Sequence, residues 1–197
     1  MFKSFSPDIN IEMKTVRDTP RKVIDILIKK AEIFQGSFVL EPSAGNGAIL
    51  EVLAEHKHHE SMKVDAVELN DEKFRHINGK LKNDLLKKEF LMYNAVHMDF
   101  LQYTANQTIS PYDRIVAAPP FKDNIDVLHI KAMYKLLAPE GIMVSLTTPY
   151  WLTNNETHQV NFRKWLEDKQ YSITMLPDMT FVEKGKTVPT AIIKIYK

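Results

Sequence analysis

Residues 37–50, Ser-Phe-Val-Leu-Glu-Pro-Ser-Ala-Gly-Asn-Gly-Ala-Ile-Leu, restrict what this chain can fold into more than any other stretch. Phe38, Val39 and Leu40 make a short apolar run, as in a strand buried on both faces. Pro42, Gly45 and Gly47 break the run, and residues 48–54 resume as a helix with Ile49, Leu50, Val52 and Leu53 apolar. Strand, tight glycine loop and helix, in that order, open a doubly wound sheet that holds its ligand at the carboxyl end of the first strand. Without a Cβ, Gly45 and Gly47 let the loop turn sharply and let a ligand approach the backbone.

A lone Gly-x-Gly also occurs in ordinary turns. No Gly-Lys-Ser/Thr follows, so the loop is not a P-loop, and Leu50 stands where the dinucleotide fingerprint needs its third glycine. Glu41, at the end of the strand, is the informative residue. A carboxylate there repels a pyrophosphate but suits a cation such as S-adenosylmethionine, which carries an ammonium and a sulfonium. The stretch resembles motif I of the class I S-adenosylmethionine-dependent methyltransferases, in the Glu-Pro-Ser-Ala-Gly-x-Gly form of amino-methyltransferases that act on nucleic acid. The resemblance implies a Rossmann-like α/β fold: a seven-stranded, mostly parallel sheet in the order 3-2-1-4-5-7-6, with helices on both faces and an antiparallel last strand. It also implies S-adenosylmethionine as cofactor, held by Glu41, Pro42, Ser43, Ala44, Gly45, Asn46 and Gly47.

A chain of 197 residues is long enough for one domain with a sizeable core. Residues 1–18 show little periodicity and read as an arm; residues 19–197 read as a single methyltransferase domain with no separate target-recognition domain. The net charge of +1 gives no global basic field to advertise nucleic acid. Local clusters exist at Lys14, Arg17, Arg21 and Lys22, and at Lys80, Lys82, Lys87 and Lys88, where solvated helix faces are the plain alternative. The absence of Cys excludes disulfides, thiolate metal sites and a Cys nucleophile. No signal peptide or membrane-length apolar run is visible, so a cytoplasmic protein without membrane contact is expected.

Thr19-Pro20 reads as a helix start, with Thr able to cap and Pro suited to the first helical position. The family resemblance adds a cofactor role for Thr19, near the methionine carboxylate. The second strand, residues 63–68, ends on Glu68, whose two oxygens suit the hydroxyls of a ribose; this resembles motif II. An amphipathic helix is expected over residues 71–88 on Phe74, Ile77, Leu81 and Leu85, weakened at Gly79. A third strand is expected over residues 90–96. After it come Asp99, able to accept from the adenine amine of the cofactor, and Phe100, able to stack on its ring. A turn Asp beside a core Phe is the competing reading.

Residues 112–121, Tyr-Asp-Arg-Ile-Val-Ala-Ala-Pro-Pro-Phe, run a fourth strand into a Pro-Pro-aromatic turn, since proline cannot remain in a central strand. This resembles motif IV, the Asn/Asp-Pro-Pro-Tyr/Phe signature of enzymes that methylate planar amines. In that family the polar side chain and the first proline carbonyl accept the two amine protons, and the aromatic stacks on the target ring. The resemblance makes Ala118, Pro119, Pro120 and Phe121 the catalytic stretch. Ala118 departs from the pattern: it carries no acceptor, and half of the amine clamp is missing. Lys122, Asp123 and Asn124 offer polar atoms nearby. The enzyme is then slow, or takes its acceptor from elsewhere, or binds cofactor without methylating amines.

A helix over residues 124–137, a stop at residues 138–141, a fifth strand over 142–146, a helix over 162–166 and strands over 172–176 and 188–195 complete the expected fold. Residues 136–141 resemble the Leu-Leu-x-Pro-Gly-Gly turn of class I methyltransferases, and the Phe181, Gly185, Thr187, Thr190 spacing resembles the closing loop of phage and plasmid adenine-methyltransferase-like proteins. Pro149, Tyr150 and Trp151 are placed to line a substrate mouth or to pack in the core. His56, Lys57, His58 and His59 read as a solvated turn, and no metal is expected. The leading expectation is methyl transfer to an exocyclic amine, adenine in DNA ahead of RNA, with a partner subunit for target recognition as an option. The alternatives are another substrate (RNA, a protein amide or a small molecule) or a cofactor-binding module that serves as a subunit.

Overall fold

A computed structural model of the chain describes residues 3–5, 14–15, 19–56, 61–81, 83, 92–178, 180–183 and 186–197. Among them the strands are β1 (Lys3–Phe5), β2 (Lys14–Thr15), β3 (Phe38–Glu41), β4 (Lys63–Glu68), β5 (Met92–His97), β6 (Tyr112–Ala117), β7 (Leu137–Thr147), β8 (Tyr171–Met175), β9 (Phe181–Glu183), β10 (Lys186–Thr187) and β11 (Ala191–Tyr196). The α-helices are α1 (Arg21–Ala31), α2 (Ala48–Leu53), α3 (Asp71–His76), α4 (Phe100–Ala105), α5 (Ile125–Leu136) and α6 (Thr157–Leu166).

The main sheet runs β1-β8-β11-β7-β6-β3-β4-β5. With β1 set aside and β5 read first, this is the expected order 3-2-1-4-5-7-6, and β11 is antiparallel to both β7 and β8. Successive strand residues point to opposite faces. Val39 therefore joins Val23, Leu27, Leu50 and Leu53 under α1 and α2. Leu40 joins Phe100, Ile130, Met133 and Phe162 under α4, α5 and α6. Burial on both faces explains why the central strands are apolar throughout rather than alternating.

The structure departs from expectation at several places. Within the arm, β1 adds to the sheet edge parallel to β8, and β2 pairs parallel with β9. An edge strand joins through backbone hydrogen bonds, so it needs no periodic pattern. Thr19 is not a helix cap: Pro20 is extended (φ −59°, ψ 140°), and its carbonyl accepts from Val23 at 2.9 Å and Ile24 at 3.1 Å. The helix expected over residues 71–88 is α-helical over Asp71–His76. It then widens into a π-helix, Ile77–Leu81, at Gly79, the residue least able to hold a regular turn. Leu85, Phe90 and the lysines at 82, 87 and 88 lie outside the described residues.

The stop at residues 138–141 is absorbed into β7. Glu140 takes a left-handed φ of 61°, and its N–H donates to the Lys197 carbonyl at 2.7 Å. The β6–β7 register accordingly jumps from Tyr112 opposite Leu137 to Arg114 opposite Ile142. The last strand begins at Ala191 rather than residue 188. Before it, β9, β10 and β2 form a separate small sheet, where Val188 N–H donates to the Phe181 carbonyl at 3.0 Å.

Candidate functional site

The carboxyl ends of β3, β4, β6 and β7 open into a cavity of about 970 Å³. Pro42, Ser43, Gly45, Glu68, Asp99 and Phe100 line one half. Ala118, Pro119, Pro120, Phe121, Thr148 and Tyr150 line the other. Parallel strands that reverse their winding between β3 and β6 leave a crevice there, as in other doubly wound sheets.

The first half is tightly pinned. Ala44 N–H donates to Val67 at 3.0 Å, and Gly47 N–H to Ala44 at 2.8 Å. Gly45 sits at φ +57°, with open space where a Cβ would stand. Gly47 serves packing instead: at φ +86°, its Cβ would lie 2.1 Å from Leu81 Cδ2. Glu68 Oε2 accepts from Gly45 N–H at 2.7 Å, and Oε1 from Asn70 N–H at 2.7 Å. Each oxygen keeps a further lone pair, so the carboxylate is aimed and still able to accept. Asp99 caps α4 by accepting from Gln102 N–H at 3.0 Å, and it lines the cavity as well. Phe100 is buried in the core and also lines the cavity.

Five residues assigned to the cofactor lie off the cavity wall: Thr19, Glu41, Ala44, Asn46 and Gly47. Glu41 is wholly buried, and its Oε2 has no partner among the described residues. Burial, with the nearby Glu68 charge, pushes its carboxyl well above the usual range. A short strand with its side chain alternating into the α1–α2 core places it there.

The second half is looser. Phe121 is half-buried, edge-on to Phe181 with ring centroids 6.0 Å apart, and lines the cavity. Pro119 is buried, while Ala118 and Phe121 pack against the apolar core. Lys122 reaches the wall. Asp123 and Asn124, both left-handed, turn to a separate cleft of about 260 Å³. Tyr150 faces the cavity and Trp151 is buried, so that aromatic run divides between the two expected roles.

Sequence reasoning missed His129, Thr148 and Asp126. His129 and Ile125 are four apart on α5 and share one face, which meets the cavity. The His129 Nδ1 lies 3.3 Å from Ser43 Oγ, and its ring is tilted against Phe100 at 5.1 Å. Burial, partly opposed by Asp99, pushes the imidazole down to about 4, so it is neutral at neutral pH. The available signal was the one-face spacing; nothing in the sequence paired His129 with Ser43. Among the described residues no cluster gathers to hold a metal ion, and His58 and His59 lie outside them. No described helix is long and apolar enough to cross a membrane.

No protein-family model matches this chain, and no curated protein matches its sequence. Solved structures do match. A protein from Listeria monocytogenes described as a class I S-adenosylmethionine-dependent methyltransferase superposes with a TM-score of 0.70 at 16% identity, over 94% of this chain and 62% of its own. The precorrin-6y C5,15-methyltransferase of Geobacter metallireducens gives 0.65 at 15% identity, over 96% of this chain and 95% of its own. The methyltransferase subunit of a type I restriction-modification system from Streptococcus thermophilus gives 0.72 at 16% identity, over 90% of this chain and 43% of its own. This chain thus spans less than two thirds of the first structure and under half of the third. The chain has the Rossmann-like fold of the class I methyltransferases.

Proposed function

We propose that this protein is an S-adenosylmethionine-dependent methyltransferase that acts on the exocyclic amine of a planar ring, adenine in DNA ahead of RNA. One observation carries the reading. A single cavity joins a glycine loop and two carboxylates, Glu68 and Asp99, to a Pro-Pro-Phe turn. Its 970 Å³ lies at the upper end of ligand sites, enough for a cofactor beside a target ring. The residues fit the cofactor: Glu68 keeps free lone pairs for ribose hydroxyls, and Gly45 leaves its backbone open to close approach. Asp99 and Phe100 would hold the adenine end. The cofactor would supply an electrophilic methyl on a cationic sulfur.

On the other side, the Pro119 carbonyl and the Phe121 ring would orient the amine. Proximity and in-line geometry would do most of the catalytic work. A base in a duplex would have to leave the stack to enter the cavity. The named restriction-modification subunit among the structural neighbours lends support to a nucleic-acid target. Ala118 favours a second reading, a catalytically weak cofactor-binding subunit whose partner supplies target recognition. The test is incubation with methyl-labelled cofactor and DNA, RNA or protein, followed by digestion. Label in N-methyladenine supports the leading reading. Cofactor binding by calorimetry without label in any polymer selects the second. No binding at millimolar cofactor rejects both.

A further inference from the structure

Asp126 lies in the first turn of α5, the helix that follows the Pro-Pro-Phe turn in the chain, and is fully buried. Among the described residues no Lys or Arg neutralises it. One oxygen, Oδ2, accepts three hydrogen bonds: from Thr147 Oγ at 2.8 Å, Thr148 N–H at 2.8 Å and Thr148 Oγ at 3.1 Å. The other, Oδ1, has no hydrogen-bond partner within 3.5 Å among the described residues. An asparagine oxygen could accept the same three bonds without the cost of burying a carboxylate. Pinning α5 to the end of β7 therefore does not account for the charge.

Thr148 is the one of these partners that reaches the cavity. It stands on the half that carries the Pro-Pro-Phe turn: β6 and β7 pair Ala117 with Ser145, so the chain enters the turn beside the end of β7. A threonine hydroxyl has one hydrogen and two lone pairs. With its hydrogen spent on Asp126, Thr148 is left as an acceptor, and its buried, doubly bonded backbone and side chain hold it in one orientation.

We propose that Thr148, oriented by Asp126, is the hydrogen-bond acceptor for the target amine that Ala118 does not provide. This rests on the methyltransferase reading above. In the transfer, the methyl carbon exchanges its bond to sulfur for one to nitrogen, and the electron pair of the broken bond stays on sulfur. The surplus proton on nitrogen passes to Thr148 Oγ as that hydroxyl passes its own to Asp126. Burial, the largest influence on Asp126, raises its proton affinity and suits it to that task. Thr148 touches the substrate, and Asp126 is a positioning residue that acts through it.

The test compares wild type with Thr148→Val, Thr148→Ser, Asp126→Asn and the double variant Thr148→Val with Ala118→Asn. The substrate is an adenine-containing single-stranded oligonucleotide with labelled cofactor. Thr148→Val should lower kcat roughly ten- to a thousandfold with cofactor affinity near wild type, and Tm should fall by a few degrees because buried Asp126 loses a donor. Thr148→Ser should stay close to wild type, Asp126→Asn should lower kcat while folding normally, and Ala118→Asn should restore much of what Thr148→Val loses. Thr148→Val at the wild-type rate overturns the proposal and leaves the methyltransferase reading standing. So does equal damage from Ser and Val, which would make the role one of packing, or absence of rescue. If wild type labels another substrate, the adenine reading fails and the same variants are read on that substrate. If wild type labels nothing, both fail.

Discussion

The two halves of the cavity are built to different standards. On the glycine-loop half, Glu68 and Asp99 are both fixed by backbone: Glu68 by two N–H groups, Asp99 by the first turn of α4. On the Pro-Pro-Phe half, position 118 offers only a methyl group, and polar function comes from side chains on other elements, Thr148 on β7's end and Asp126 on α5. Backbone-held groups follow from local chain geometry. Groups borrowed from a neighbouring strand depend on the whole sheet being in register.

The sharpest break in that contrast is Ala118→Asn, which restores a local acceptor. By the usual worth of a group aimed at a transition state, methylation of adenine should rise, by up to roughly a thousandfold if no other group does the task. With Thr148 already accepting, the gain on a wild-type background should stay near the low end, about tenfold. A rate assay beside a Tm measurement separates this from overpacking, which typically costs about 1–3 kcal/mol. Next, Glu68→Ala removes the fixed acceptors of the other half. Cofactor affinity should fall about a hundredfold by calorimetry, as expected for two hydrogen bonds to a charged group. An unchanged Kd would show that the pinned carboxylate serves only the loop.

Phe121→Ala should lower transfer roughly ten- to a hundredfold through lost stacking, with cofactor affinity nearly constant. The edge contact with Phe181 means that Tm will fall as well. A fall in Tm with no change in rate would reduce Phe121 to a core residue. The smallest effect is expected at Glu41→Gln. The folded-state pKa of Glu41 lies above its unfolded value, so its contribution to stability is fully present below the unfolded pKa and is lost as pH rises through the folded pKa. Glutamine removes that loss. The variant should match wild type near pH 4 and equal or exceed it at neutral pH, as unfolding curves at the two pH values would read. A marked loss of cofactor affinity would instead bring Glu41 back into the site from beneath it.

Much of the fold was legible in the sequence because its signals are local. Apolar runs closed by Gly45, Gly47 and the Pro119-Pro120 pair mark strands that leave the sheet at one end, and the family resemblance of those stretches implied the strand order. Glu68, Asp99 and Phe121 were placed at the cavity for the same reason: Glu68 ends β4, and Asp99 and Phe121 lie in the turns that follow β5 and β6. Several misses are non-local. Residues 3–5 join an edge through backbone bonds that no side-chain pattern announces, and Leu81 at the end of the π-turn packs against Gly47.

By itself, then, the sequence determined the strand-loop-helix unit and the alanine at the head of the Pro-Pro-Phe turn, and through its resemblance the class of fold, since each depends on residues adjacent in the chain. Only the tertiary structure decided that Glu41 lies under the cavity rather than on its wall. It alone brought His129 to Ser43, 86 positions apart, and Thr148 to Asp126, 22 apart. Contacts of that kind are set by sheet register and helix docking, and no one-dimensional pattern carries them.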